Sequence, residues 1–309
     1  MGSSRPLFVL GNHRSGTTWL ANQLCRHPEI AGVQHERHHG IHESAWFSSL
    51  DGRYGDLRTR SNFIELVEVL AESDYCRIAE IDRAFLYAEW PIDYDQLFRR
   101  IMEEVARRAG ARYWIEKTPA HTEFVDEIAR RYPDARFVSV KRALESVVGS
   151  SLGMERHSSL TGATSRLKHI FSVALRWSYF NRLVDGYAQG SDRIVCLTYA
   201  EMRSDLEATM RRISDHLELP FDSRLLGSDF AANTSFSGDR TRDDALSGWE
   251  RRLLSLLEGL FAATPISILR AVVSRARRRE GRAPLPPWFF RLHPHASEQR
   301  DAAQSGSDP

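Results

Sequence analysis

Residues 7–20 read Leu-Phe-Val-Leu-Gly-Asn-His-Arg-Ser-Gly-Thr-Thr-Trp-Leu, and this stretch decides the fold. A short apolar run ends at Gly11, a tight polar loop follows, and an amphipathic segment opens at Thr17. Strand, loop and helix in that order gather backbone N–H groups and a helix N-terminus around an anion of the phosphate type. The spacing almost satisfies the nucleotide pattern G-x-x-x-x-G-K-[ST], with Gly11 and Gly16 in register. Thr17 stands where that pattern has its lysine, and the cation has moved into the loop as Arg14. A P-loop kinase uses that lysine on the outer phosphates and the next hydroxyl on Mg²⁺. Keeping the cradle without the lysine argues for a different anion and against a nucleotide kinase.

A second stretch repeats the theme. Residues 136–152 read as a strand over Phe137–Val140 running into a helix, with Arg142 at the strand end and Ser150 eight positions later. An arginine at the carboxyl end of a parallel strand offers a forked donor to a phosphate. Two helical turns on, a serine hydroxyl lies near the same face. Between the two stretches stands Trp114-Ile-Glu-Lys-Thr-Pro119, in a chain whose lysines are only Lys117, Lys141 and Lys168. Downstream come a strand ending at Tyr199, an amphipathic segment over Asp205–Leu219, and the loop Asn233-Thr-Ser-Phe236.

Taken in order, these segments resemble the sulfotransferases that use 3′-phosphoadenosine-5′-phosphosulfate (PAPS), over roughly residues 5–260. The resemblance is to the carbohydrate and tyrosylprotein branch and to a soluble, bacterial-type member. The family's phosphosulfate loop, [RK]-[ST]-G-T-[TS], is matched by Arg14, Ser15, Gly16, Thr17 and Thr18. The resemblance implies that these residues hold the 5′-phosphosulfate and that Arg142 and Ser150 hold the 3′-phosphate. It also implies that Lys117 reaches the sulfuryl group, that Tyr199 belongs to the cofactor-binding set, and that Asn233–Phe236 resembles a loop closing over the nucleotide. Two departures stand out: Ala143-Leu144 replaces the usual Asp-Pro, and Ala200-Glu201 displaces the usual glutamate by one. The implied reaction moves a sulfuryl group from PAPS to a hydroxyl, or less readily an amine, of a small molecule or carbohydrate, with no metal. Arg14 and Lys117 then act as charge-neutralising catalytic groups. Attack on sulfur needs a base, and counting from the loop places it at Glu36 or His35, with Arg37 beside them. A PAPS-binding protein without catalysis is the alternative if both base candidates are misplaced.

Composition narrows the setting. The 309 residues suffice for one large α/β domain. Forty-two basic against 41 acidic residues leave no global attraction to nucleic acid or membrane. Cys25, Cys76 and Cys196 lack CxxC spacing and read as reduced thiols of a cytoplasmic protein. No apolar run approaches the ~18 residues of a membrane span, the first motif starts too early to follow a signal peptide, and Pro6 fails a myristoylation signal.

The predicted fold class is α/β: a three-layer sandwich with a central parallel sheet and a P-loop-like phosphosulfate-binding loop. Strands are expected near 7–10, 112–116, 136–140 and 193–198. Helices are expected near 17–26, 95–109, 120–131, 144–152, 165–188, 205–218 and 247–262. Residues 35–94 read as an irregular acceptor-pocket insertion, whose Trp46, Phe47, Trp90 and Tyr94 suit either a pocket or an ordinary core. The sulfotransferase-like domain is expected over 1–273, followed by a basic, Pro-rich tail over 274–309. Its Arg275–Arg282 run reads as a solvated helix end and its final dozen residues as disordered.

One rival motif needs weighing. His35-Glu36-Arg37-His38-His39 satisfies H-E-x-x-H, the zinc metalloprotease pattern. That chemistry needs both histidines one turn apart on a continuous helix. Gly32 and Gly40 bracket the segment, and the extended form of the motif is absent. A long helix is not expected here.

Overall fold

The computed structural model describes residues 4–153, 162–227, 246–280, 285 and 287–290. The Asn233–Phe236 loop and the final dozen residues lie outside that set. β1 (Arg5–Gly11) is built from an unbroken apolar run, as a strand buried on both faces requires. It pairs in parallel with β5 (Tyr113–Glu116) on one side and β6 (Arg136–Lys141) on the other. β2 (Ile30–Ala31) extends the sheet beyond β5, and β7 (Ile194–Thr198) extends it beyond β6. The order is β2-β5-β1-β6-β7, all parallel. A separate two-strand ladder joins β3 (Gln34–His35) to β4 (Gly40–Ile41).

Alternating side chains divide the core. Phe8, Leu10, Trp114 and Phe137 face one side of the sheet, whereas Leu7, Val9, Tyr113, Ile115, Val138 and Val140 face the other. Phe8 is fully buried, with ring contacts to Phe47, Trp114, Tyr132 and Phe137. The second face is covered by α1 (Thr17–Leu24), α9 (Tyr199–Ser204) and α10 (Leu206–Leu217), which present Leu20, Met202, Met210 and Ile213. The first face is covered by α2 (Arg60–Glu72), α5 (Tyr94–Ala109), α6 (Val125–Arg131), α7 (Leu144–Leu152), α8 (Ala163–Gln189), α11 (Gly248–Ala263) and α12 (Ile266–Glu280). Two short helices, α3 (Asp74–Ile78) and α4 (Arg83–Tyr87), sit beside α2. The three-layer α/β expectation holds.

Four expected strands and seven expected helices appear within a few residues of their places, with 120–131 split into a 3₁₀ turn (Pro119–Phe124) and α6. Residues 35–94 differ from expectation. They are not irregular: α2, α3 and α4 lie there, and α2 buries Phe63, Leu66, Val67 and Leu70 at i, i+3, i+4 and i+7. Trp46 and Phe47 are core residues, Trp46 stacking on Phe98 at 4.8 Å. Trp90 is exposed and donates to the Leu57 carbonyl at 3.1 Å. α12 runs through residue 273 without a break.

Cys25, Cys76 and Cys196 are free, and burial pushes the Cys25 and Cys76 thiols up to about 12. Among the described residues no single helix is long and apolar enough to cross a membrane.

The Phe8 cluster predicts its own sensitivity. Phe8→Ala is expected to cost about 3–5 kcal/mol, because four packed rings cannot collapse into the cavity. Urea unfolding of the variant, followed by tryptophan fluorescence, measures it.

Candidate functional site

The strand order reverses direction around β1: the chain first builds toward β5 and β2, then returns to add β6 and β7. Ligands of open α/β sheets bind at such a switch point, beyond the strands' carboxyl ends. Here those ends carry the loop 12–16 after β1 and Arg142 after β6.

The loop is shaped by its backbone. Ser15 N–H donates to the Asn12 carbonyl at 3.1 Å, and Arg14 adopts a left-handed conformation at φ 69°. Gly16 follows at φ 95°, and a Cβ there would lie 2.6 Å from the Tyr199 ring. Glycine is therefore required twice over, by the turn and by the ring. Gly11 is gripped by Thr122, whose hydroxyl accepts from the Gly11 N–H at 2.8 Å and donates to its carbonyl at 3.1 Å. α1 starts at Thr17 with no side chain capping it, so its first-turn N–H groups face the loop's hollow. Ser15 Oγ is fully buried and has no hydrogen-bond partner among the described residues. An orphaned hydroxyl inside a ring of amides fits an anion held there.

Arg142 joins this loop. Its Nη1 donates to the Arg14 carbonyl at 2.9 Å, and its guanidinium lies 4.4 Å over the Tyr199 ring. Arg14 Nε donates to Ser150 Oγ at 3.1 Å. Trp177 of α8 donates to the Arg142 carbonyl at 2.8 Å and so fixes the strand end from behind. Arg14, Gly16, Arg142, Ser150 and Tyr199, brought in from separate stretches of the sequence, are thus joined in one cluster. The shifted Glu201 acts locally, closing a capping box with Thr198 that starts α9 and sets Tyr199 at the rim.

The end of β5 supplies a second cluster. Glu116 is buried and accepts from Ser44 Oγ (2.8 Å), Thr118 Oγ1 (2.6 Å) and His121 Nδ1 (2.8 Å). His121 Nε2 accepts from the Phe47 N–H at 3.2 Å, which fixes the proton on Nδ1. Burial alone would raise the Glu116 carboxyl; His121 and the two hydroxyls outweigh it and hold the group below the usual carboxylate range. Lys117 follows, 2% exposed, with Nζ 2.7 Å from Glu43 Oε1.

Sequence reasoning missed Glu43. It lies 74 residues from Lys117, just beyond β4, and only an acidic residue after the histidine-rich run hinted at it. The two expected bases sit farther out. Glu36 is exposed in a 3₁₀ turn, and His35, half-buried on β3, accepts from the Arg37 N–H at 3.2 Å. Among the described residues no hydrogen bond or ion pair links the Glu36 carboxylate to the loop or to Arg142.

The H-E-x-x-H reading fails on geometry. His35 lies on a strand, Glu36–His38 form a single 3₁₀ turn, and His39 is left-handed at φ 57°. The two motif histidines do not share a helical face, which a zinc metalloprotease requires.

Comparison with known proteins bears on the same span of chain. The sequence model of the sulfotransferase family matches residues 6–223. No curated protein sequence matches the chain. Among solved structures, sulfotransferase STF9 from Mycobacterium avium aligns at TM-score 0.49 and 20% identity, covering 84% of this chain and 76% of its own. The sulfotransferase domain of the curacin biosynthetic pathway aligns at 0.48 and 16%, covering 79% and 83%. Mouse sulfotransferase SULT7A1, complexed with PAP, aligns at 0.43 and 11%, covering 90% of each chain.

The Glu116 cluster makes a pH-dependent prediction. Glu116→Gln is expected to destabilise the fold by about 2–3 kcal/mol at neutral pH, since a buried charged acceptor is lost. Because the folded carboxyl titrates below its unfolded value of about 4.3, the stabilisation is complete above that value. It disappears as pH falls through the folded one. The gap between wild type and variant in urea titrations therefore narrows on acidification from pH ~5 downward.

Proposed function

The chain belongs to the sulfotransferase family, and from that premise we propose that it transfers a sulfuryl group from PAPS to a hydroxyl of a small-molecule or carbohydrate acceptor. The observation that carries this reading is the single cluster in which Arg142, at the end of β6, bonds the backbone of the loop after β1. A donor with anionic groups at both ends of one adenosine needs two anion sites on one rim, as the loop after β1 and Arg142 after β6 offer.

Bound there, the donor supplies an electrophilic sulfuryl group and leaves as adenosine 3′,5′-bisphosphate. Backbone amides of Ser15–Thr18, the orphaned Ser15 hydroxyl and the Thr17 and Thr18 hydroxyls hold its 5′ end. Arg142 and Ser150 hold the 3′-phosphate, with Arg142 tied to the loop by its bond to the Arg14 carbonyl. Tyr199 packs against Gly16 and under Arg142, bracing the loop against the arginine. Arg14 and Lys117 offset charge on the leaving oxygen and the sulfuryl oxygens.

The base is assigned to Glu43. Its carboxylate lies against the lysine that faces the sulfuryl group in this reading, and it is the more accessible member of that pair. Glu36 and His35 then stand at the rim, where the acceptor enters. The kinase alternative loses ground to the missing lysine at Thr17.

Four variants test the assignments. Isothermal titration of wild type with adenosine 3′,5′-bisphosphate is expected to show binding that EDTA does not abolish, and Arg142→Ala is expected to weaken it at least about tenfold. Arg14→Ala is expected to lower turnover on a panel of phenols and sugars by about 10²–10³. Glu43→Gln is expected to fall by about 10²–10⁴ in kcat, and Glu36→Gln by less than about tenfold. Absence of bisphosphate binding would refute the donor assignment; the reverse ordering of the two glutamate variants would return the base to Glu36.

A further inference from the structure

His38, His42 and Asp74 converge on one point outside the proposed donor site. His38 Nε2 lies 2.9 Å from Asp74 Oδ2, the His38 and His42 rings are 3.8 Å apart, and the donor atoms all fall within 4.8 Å of one another. All three side chains are nearly inaccessible: 6% for His38, 0% for Asp74, and His42 is buried. From this geometry we propose a zinc-class divalent cation site made by His38, His42 and Asp74.

Two features favour an ion over a plain histidine–aspartate pair. A pair needs one imidazole, yet here a second ring is stacked on the first within reach of the same carboxylate. The donors are two imidazole nitrogens and one carboxylate oxygen, a set that suits zinc and its neighbours rather than calcium or magnesium. Tetrahedral bonds of ~2.0–2.2 Å separate donors by roughly 3.3 Å, so the present spread closes by small side-chain rotations. Three protein ligands leave a fourth position for water.

The scaffold is already organised. Asn22 of α1 donates to the His39 carbonyl and accepts from the Ile41 N–H, each at 2.8 Å, and His42 N–H donates to the Val33 carbonyl at 2.7 Å. Asp74 is the first residue of α3, held by the Ser73 cap. The Tyr75 and Trp288 rings stand 5.8 and 5.7 Å from the His42 ring and wall the site with apolar surface. An ion here clamps the β3–β4 turn to α3, and so fixes the segment from which Glu36 and Glu43 project. It takes no part in binding the donor.

Metal uptake tests this without reference to catalysis. Full-length protein, stripped with chelator and dialysed, is titrated with ZnCl₂ and separately with CoCl₂. One equivalent bound per chain, a tetrahedral Co²⁺ visible spectrum and a raised Tm are the expected results. Asp74→Asn and His42→Ala are each expected to weaken uptake at least about tenfold, while His39→Ala, in the rival motif, keeps it. Should His42→Ala fail to fold, His38→Gln and the wild-type Co²⁺ spectrum carry the test. No uptake by wild type, unchanged uptake in Asp74→Asn, or loss confined to His39→Ala would each overturn the proposal.

Discussion

The bond from the Arg142 guanidinium to the Arg14 carbonyl is the constraint on which the candidate site depends. It exists because β1 and β6 are adjacent and parallel, in register from Leu7 with Arg136 to Gly11 with Val140. Both strands therefore end at the same height, and each hands its next residues to the same rim. Tyr199, delivered by the end of β7, fills the remaining side by packing on Gly16 and under Arg142. Three neighbouring strand ends thus contribute to one cluster. A side chain at residue 16 would displace the ring that supports the arginine, so the glycine and the cation are mechanically coupled.

The donor side is legible in the sequence because it is built from local signals. Gly11, Gly16 and Thr17 announce a strand, a turn and a helix within a short span, and Arg142 precedes by two residues the helix that carries Ser150. Parallel-sheet order then brings the two segments together without further information. β2 escapes a sequence reading because two residues, Ile30 and Ala31, leave no periodicity to detect. α2 escapes for another reason. Its i, i+3, i+4, i+7 pattern at Phe63, Leu66, Val67 and Leu70 is present, but it lies inside a longer segment whose aromatics, histidines and glycines mask it.

The Glu43–Lys117 pair marks the limit of sequence reading. Neither residue lies in a motif that names the other, and 74 residues separate them. What joins them is Glu116, whose bonds to Ser44 and Thr118 dock the segment after β4 onto the end of β5. Ala45 N–H donates to Thr118 Oγ1 at 3.3 Å in the same patch, so the docking is made by backbone as well as side chains. A buried carboxylate that organises three donors is invisible in composition, since an isolated Glu in a strand more often points to solvent.

The acceptor side follows a different rule from the donor side. The proposed donor contacts come from backbone amides and from side chains carried at or just after strand ends, whose positions the sheet fixes. The opposite wall comes from the β3–β4 turn and the elements around it, which are held by side-chain bonds such as Asn22 to His39 and Ile41, His38 to Asp74, and Glu43 to Lys117. These bonds lie outside the parallel ladder of the sheet, so in the proposed function this wall varies with the acceptor independently of the donor site. In the proposed function this is a division of labour: strand ends position the donor, and long-range side-chain pairs shape the surface that meets the acceptor.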